Sequence, residues 1–111
     1  MVFDLETALK GLGNDKALLY EALQDFVGFY GDAGAKIRDA LHEERYTDVE
    51  LLTHTLKGLG GTFASELLRN CALSLEQAVR TGEVEAMTQK AASLDAAISE
   101  MVADIKKVLS T

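Results

Sequence analysis

Between Val84 and Val108 the apolar residues fall alternately three and four positions apart, at Val84, Met87, Ala91, Leu94, Ile98, Met101, Ile105 and Val108. Steps of three and four keep side chains on one face of a 3.6-residue turn, so this is the seam of a helix packed lengthwise against other helices. From Glu83 to Leu109 such a helix would run ~40 Å at ~1.5 Å per residue. It needs partners of comparable length, and the rest of the chain can provide them, because none of its 111 residues is proline. Helices are never interrupted by a missing amide hydrogen, and turns fall to Gly, Asn, Asp and Thr.

A short opening segment, Phe3 to Leu12, ends at Gly11-Leu12-Gly13-Asn14. Asn14 or Asp15 can then cap a helix whose apolar positions are Leu19, Leu23, Phe26 and Tyr30. Gly31-Asp32 breaks or bends that run, since neither is a strong helix former, and Ala33, Ile37, Ala40 and Leu41 continue at helical spacing into the charged His42-Glu43-Glu44-Arg45. Thr47-Asp48-Val49-Glu50 reads as a capping box and predicts a helix start near Asp48, running to about Ala64. Ser65 can cap the following helix, built on Leu68, Cys71, Leu75 and Ala78 and closed by Thr81-Gly82. The economical architecture is all-α: an antiparallel four-helix bundle with a short additional N-terminal helix, with residues 1–111 forming one domain around one core.

Composition narrows the function. The formal net charge of −7, from 18 acidic and 11 basic residues with no basic cluster, disfavours nucleic acid, whose phosphates need grouped Lys and Arg. No apolar run approaches the ~20 residues of a membrane span and the start lacks the layout of a secretion signal, so no membrane contact and a cytoplasmic location are expected. Cys71 has no second cysteine to pair with, and Leu67, Leu68 and Leu75 around it predict a buried thiol.

The informative stretch is Leu51-Leu52-Thr53-His54-Thr55-Leu56-Lys57-Gly58-Leu59-Gly60-Gly61-Thr62-Phe63. At about 100° per residue, Leu52, Leu56, Leu59 and Phe63 form an apolar stripe that must face the core, which leaves His54 roughly opposite and exposed. Its face holds Lys57, Gly58 and Gly61, with Glu50 and Leu51 on the preceding turn. Gly58, Gly60 and Gly61 should each cost a helix up to about 1 kcal/mol relative to Ala, so their small size must serve something. Gly58 and Gly61 strip the flank beside His54 and, with Glu50 and Leu51, are assigned to partner docking; Gly60 points elsewhere and is assigned to helix packing. The Lys57 ammonium, one turn from His54, can pair with oxygens of an anion carried on the ring. Imidazole, with an ordinary pKa of about 6.5, is nucleophilic at cellular pH and can hand a bound phosphoryl group onward.

The run His54-Thr55-Leu56-Lys57-Gly58 resembles the His-x-Leu-Lys-Gly signature of histidine phosphotransfer (HPt) domains. Phe3-Asp4-Leu5 to Leu9, Tyr20 to Phe26, and Leu75-Glu76 are also similar to the family, so the likeness covers nearly the whole chain. The resemblance implies a helical bundle that takes phosphate on His54 from an aspartyl phosphate of a receiver domain and returns it to another receiver. It implies Lys57 as the phosphate-facing partner and Gly58 as clearance for the receiver. Glu76, 22 residues after His54, stands where family members often have Gln or Glu holding the ring's inner nitrogen; Gln77 is adjacent. The family frequently has Gly then Ala starting ten positions after the histidine, whereas this chain has Ala64-Ser65, which puts the shape of that turn in question.

The expected partners are response-regulator receivers or a hybrid sensor histidine kinase, of which this domain can be a free-standing companion or a part, and the expected state is a monomer. No cofactor of its own is expected, Mg²⁺ belonging to the receiver. There is no nucleotide-binding box, so the chain reads as a phosphocarrier and not as a kinase. No metal site is expected, because neither His42 nor His54 has Glu three residues earlier; His42 reads as a solvated residue. The rival reading is an adaptor bundle that binds receivers or kinases without carrying phosphate.

Overall fold

A computed structural model describes residues 1–111 as six helices: α1 (Leu5–Gly11), α2 (Lys16–Tyr30), α3 (Ala33–His42), α4 (Tyr46–Thr62), α5 (Glu66–Thr81) and α6 (Val84–Leu109). The bundle is formed by α4, α5, α6 and the bent run α2–α3, with α1 as the short additional helix. Gly31 keeps right-handed helical dihedrals (φ −59°, ψ −29°) and its amide donates to the Val27 carbonyl at 3.2 Å, so α2 and α3 are joined by a bend and not by a loop. The run is antiparallel to α6, with Gly31 against Val102 and Gly34 against Asp95. Likewise α4 is antiparallel to α5, with Glu50 bonded to Arg80 and Gly60 packed on Arg69.

The α6 seam is buried at Met87, Leu94, Ile98, Met101, Ile105 and Val108 and half-buried at Ala91. Val84 departs from the expectation: it opens the helix and overhangs the core, 59% exposed. Phe26 and Phe63 meet edge to face, their centroids 5.8 Å apart, a geometry that aromatic quadrupoles favour. Cys71 is half-buried and not buried as expected; burial, with the nearby Glu100 charge, pushes its thiol pKa up and keeps it protonated.

The helix junctions explain one failure of the sequence reading. The Thr47–Glu50 capping box does not form: α4 begins at Tyr46, its N-cap Arg45 makes no side-chain cap bond, and Thr47 lies inside the helix. The end of α3 decides this, because Glu44 adopts φ +56° and the Arg45 amide donates to the Ala40 carbonyl at 2.8 Å. That closure delivers the chain into α4 at Tyr46, one residue before Thr47, so Thr47 is already helical and cannot act as the N-cap. Arg45 instead pairs with Asp48 and Glu43, at 2.8 and 2.7 Å. Where the sequence offered Asn14 or Asp15 as a cap, the Asp15 carboxylate accepts from the Leu18 amide at 3.0 Å.

The α4–α5 junction repeats the closure with Ala64 at φ +54° and the Ser65 amide donating to the Gly60 carbonyl at 2.8 Å. The turn therefore takes the left-handed shape that glycine favours, despite the alanine. Ser65 caps α5 through the Leu68 amide, and its hydroxyl also donates to the Val2 carbonyl at 2.6 Å, tying the N-terminal segment across this end of the bundle. A left-handed alanine costs about 1–2 kcal/mol, partly offset by the extra entropy glycine loses on folding. Ala64→Gly is expected to raise stability by about 0.5–1 kcal/mol, or a few degrees in Tm by thermal melting; a lowered Tm would show that the Ala64 methyl packs favourably enough to outweigh the strain.

Candidate functional site

Along α4 the buried positions are Val49, Thr53, Leu56 and Gly60, followed by buried Phe63 just past the helix end, with Leu52 and Leu59 half-buried at the edge. The inward face is thus rotated from the expected Leu52–Leu56–Leu59–Phe63 stripe, and Thr53 lies on it. Thr53 can be buried because its hydroxyl donates within its own helix, to the Val49 and Glu50 carbonyls at 2.9 and 3.0 Å. With this rotation His54 is not diametrically opposite the core but on the flank that borders α5. Its side chain is 65% exposed.

Glu76 comes up to this flank from α5 and is completely buried. A buried carboxylate is costly unless paired, and here three cationic or donor groups converge on it. His54 Nδ1 lies 3.2 Å from Glu76 Oε2, Lys57 Nζ donates to Oε1 at 2.8 Å, and the Arg80 guanidinium stands 3.6 Å from Oε2. Burial alone would push the Glu76 carboxyl pKa up; the hydrogen bonds from Lys57 and His54 and the charges of Lys57 and Arg80 together outweigh it and hold the pKa below its ordinary value. The group is therefore ionised at neutral pH, and an ionised carboxylate can only accept. Nδ1 must then carry a proton toward Glu76, so in the neutral ring the lone pair belongs to Nε2.

Lys57 is mostly covered, its side chain 27% exposed, with one of its three donors engaged by Glu76. Gly58 and Gly61 are exposed, and a Cβ built on either would meet nothing within 4 Å, so the surface beside the imidazole is open. Gly60 faces inward, where an added Cβ would stand 2.6 Å from the Arg69 nitrogen; it is the close-approach point of α4 and α5. Leu51 is 64% exposed one turn before His54. Glu50 is half-buried and accepts from Arg80 Nε at 2.8 Å.

Arg80 was not singled out by the sequence reading, although it follows Glu76 by four residues, the spacing that stacks two side chains on one helix face. It bridges Glu50 and Glu76, and the hydrogen bond to Glu50, with the charge of Glu76, raises its pKa. Gln77 is exposed, as is His42. A hollow of about 920 Å³ between the N-terminal segment and the α4–α5 turn reaches Gly61, but His54 is not among its lining residues. The His54 face is thus open, suited to chemistry between two macromolecules and not to enclosing a small substrate. No group of three or more His, Cys, Asp or Glu side chains is arranged to hold a metal ion.

The model of the Hpt domain family matches residues 21–106, a span that contains every residue of this site. No curated protein and no solved structure matches the chain. The match extends over most of the sequence and over most of the bent helix run, all of α4 and α5 and nearly all of α6, and so the chain belongs to the Hpt domain family.

Proposed function

We propose that the domain is a phosphorelay intermediate that accepts a phosphoryl group on His54 Nε2 from a receiver-domain aspartyl phosphate and passes it to, or back to, another receiver. The observation that carries this reading is an exposed imidazole whose inner nitrogen is pinned by a buried, ionised carboxylate, with two cations beside it. In the forward step the Nε2 lone pair attacks phosphorus, the P–O bond to the aspartate breaks, and its electron pair returns to the carboxylate. The Nδ1 proton remains on the ring, held by Glu76, so the ring acquires positive charge that Glu76 stabilises. Lys57 uses its remaining N–H groups, and Arg80 its outer fork, to offset the charge of the phosphoryl oxygens. Mg²⁺ belongs to the receiver.

Hpt domains are phosphocarriers and not kinases, and they work with receivers and kinases in two-component signalling. This one acts as a monomer in the cytoplasm, alone or within a larger hybrid kinase, and docks receivers through Leu51, Gly58 and Gly61 in a small interface that releases quickly. No helix is long and apolar enough to cross a membrane. The test is to mix the domain with a phosphorylated receiver. Phosphate that appears on it and is labile to acid but stable to alkali supports the carrier. Stable binding of the receiver with no phosphate uptake would favour the adaptor reading instead.

Clearance makes a separate claim. Gly58→Leu should leave thermal stability unchanged or slightly raised, because the new side chain meets open space and leucine is the better helix former. Transfer from a phosphorylated receiver should nevertheless fall by at least about tenfold, since a few misplaced side-chain atoms in the docking plane separate the reacting groups. A transfer rate equal to wild type would remove Gly58 from the docking surface.

A further inference from the structure

Within this reading, one pairing has no part in accepting phosphate: the bond between Glu50 on α4 and Arg80 on α5. Glu50 Oε1 holds Arg80 Nε at 2.8 Å, while the same guanidinium stands 3.6 Å from Glu76 Oε2, the oxygen that also meets His54 Nδ1. Arg80 therefore shares Glu76 Oε2 with the imidazole but is drawn one turn back along α4 by the half-buried Glu50 carboxylate. Before loading, the two cations Lys57 and Arg80 face the two carboxylates Glu50 and Glu76, a balanced set. A phosphoryl group adds about −1.5 to −2 charges, so three anionic groups then compete for two cations. Lys57 keeps one donor on the buried Glu76 and pairs with no other carboxylate, whereas Arg80 is shared between Glu76 and Glu50, which makes Arg80 the cation in contest.

We propose that Glu50 is a positioning residue that limits the lifetime of the phosphorylated state by competing with the phosphoryl group for Arg80. The inference rests on His54 as the carrier, and Glu50 acts through Arg80 without touching the reacting atoms. Removing its charge frees the guanidinium fork for the phosphoryl oxygens. The loss of phosphate is then slowed; in that reaction water attacks phosphorus, the P–Nε2 bond breaks and its electron pair returns to the ring. Glu50 and Arg80 are both substantially exposed, so the effect is that of a surface ion pair, about two- to fivefold.

The probe is phosphoramidate, which loads a histidine directly as its P–N bond breaks and ammonia leaves. Wild type, Glu50→Gln, Arg80→Ala and the double variant are loaded, freed of donor, and followed by ³¹P NMR. Glu50→Gln should lengthen the phosphohistidine half-life about two- to fivefold at unchanged Tm, Arg80→Ala should shorten it, and Glu50→Gln in the Arg80→Ala background should have no effect. A half-life unchanged or shortened in Glu50→Gln overturns the proposal while leaving the carrier reading intact. So does an equal lengthening with and without Arg80, which would reduce Glu50 to plain charge repulsion. Failure of wild-type His54 to load at all overturns both.

Discussion

His54→Gln should take up no phosphate from a phosphorylated receiver under conditions that label wild type to a substantial fraction. The loss is expected to be complete because the amide has no lone pair of comparable nucleophilicity, while its size and polarity approximate those of the ring. The fold should survive. The imidazole is 65% exposed, and Glu76 retains Lys57 at 2.8 Å and Arg80 at 3.6 Å. A hydrogen bond to a charged group is worth about 1.5–3 kcal/mol, but the Gln amide can donate in place of Nδ1, so the net change should be a fraction of that. The measurement is therefore double: stoichiometry of acid-labile phosphate, and Tm. Label persisting on the variant would move the acceptor elsewhere, with the exposed His42 the first candidate to map. Loss of label accompanied by a large fall in Tm would leave the chemistry unassigned to His54 and point to a structural role for the ring.

What was legible in the sequence followed how local the determining physics is. The α6 seam and the Asp15, Ser65 and Gly82 helix ends depend on residues a few positions apart, and each could be read directly. The break at Gly31-Asp32 was equally local, and it is a bend. The capping box at Thr47 failed because the closure of the preceding helix, through Glu44 in the left-handed region, outweighed a local preference worth about 1 kcal/mol. The rotation of α4 was missed for a different reason: a threonine carries no apolar signal, yet the Thr53 hydroxyl is satisfied within its own helix and so can lie inside, on the same face as Gly60, whose assignment to helix packing fits its close approach to Arg69. Arg80 lies on the Glu76 face by its four-residue spacing alone, but its bond to Glu50 depends on the register of α5 against α4, which no spacing within one helix specifies. Glu76 was legible only through the family resemblance, and the full burial of its carboxylate between His54, Lys57 and Arg80 depends on how α5 packs against α4.

That register hinges on Gly60, where the same substitution should have opposite signs two residues apart. In an open helix position Gly→Ala gains up to about 1 kcal/mol, and Gly58→Ala should show this gain, because its new methyl meets nothing within 4 Å. At Gly60 the methyl would stand 2.6 Å from the Arg69 nitrogen and 2.8 Å from its Cα. These are backbone atoms of α5, which cannot rotate away as a side chain could, so the two helices must move apart. Overpacking of this kind costs about 1–3 kcal/mol, and Gly60→Ala should be destabilised despite the better helix former, with Gly60→Val worse still. The site should register the same displacement: Glu76 rides on α5, and its reach to His54 Nδ1 is already 3.2 Å. Chemical denaturation of Gly58→Ala and Gly60→Ala measures the sign difference, and ¹⁵N shifts of the His54 ring report whether Nδ1 keeps its proton. Equal gains at both positions would mean that α4 and α5 are not held at the separation on which the Glu76–His54 contact depends.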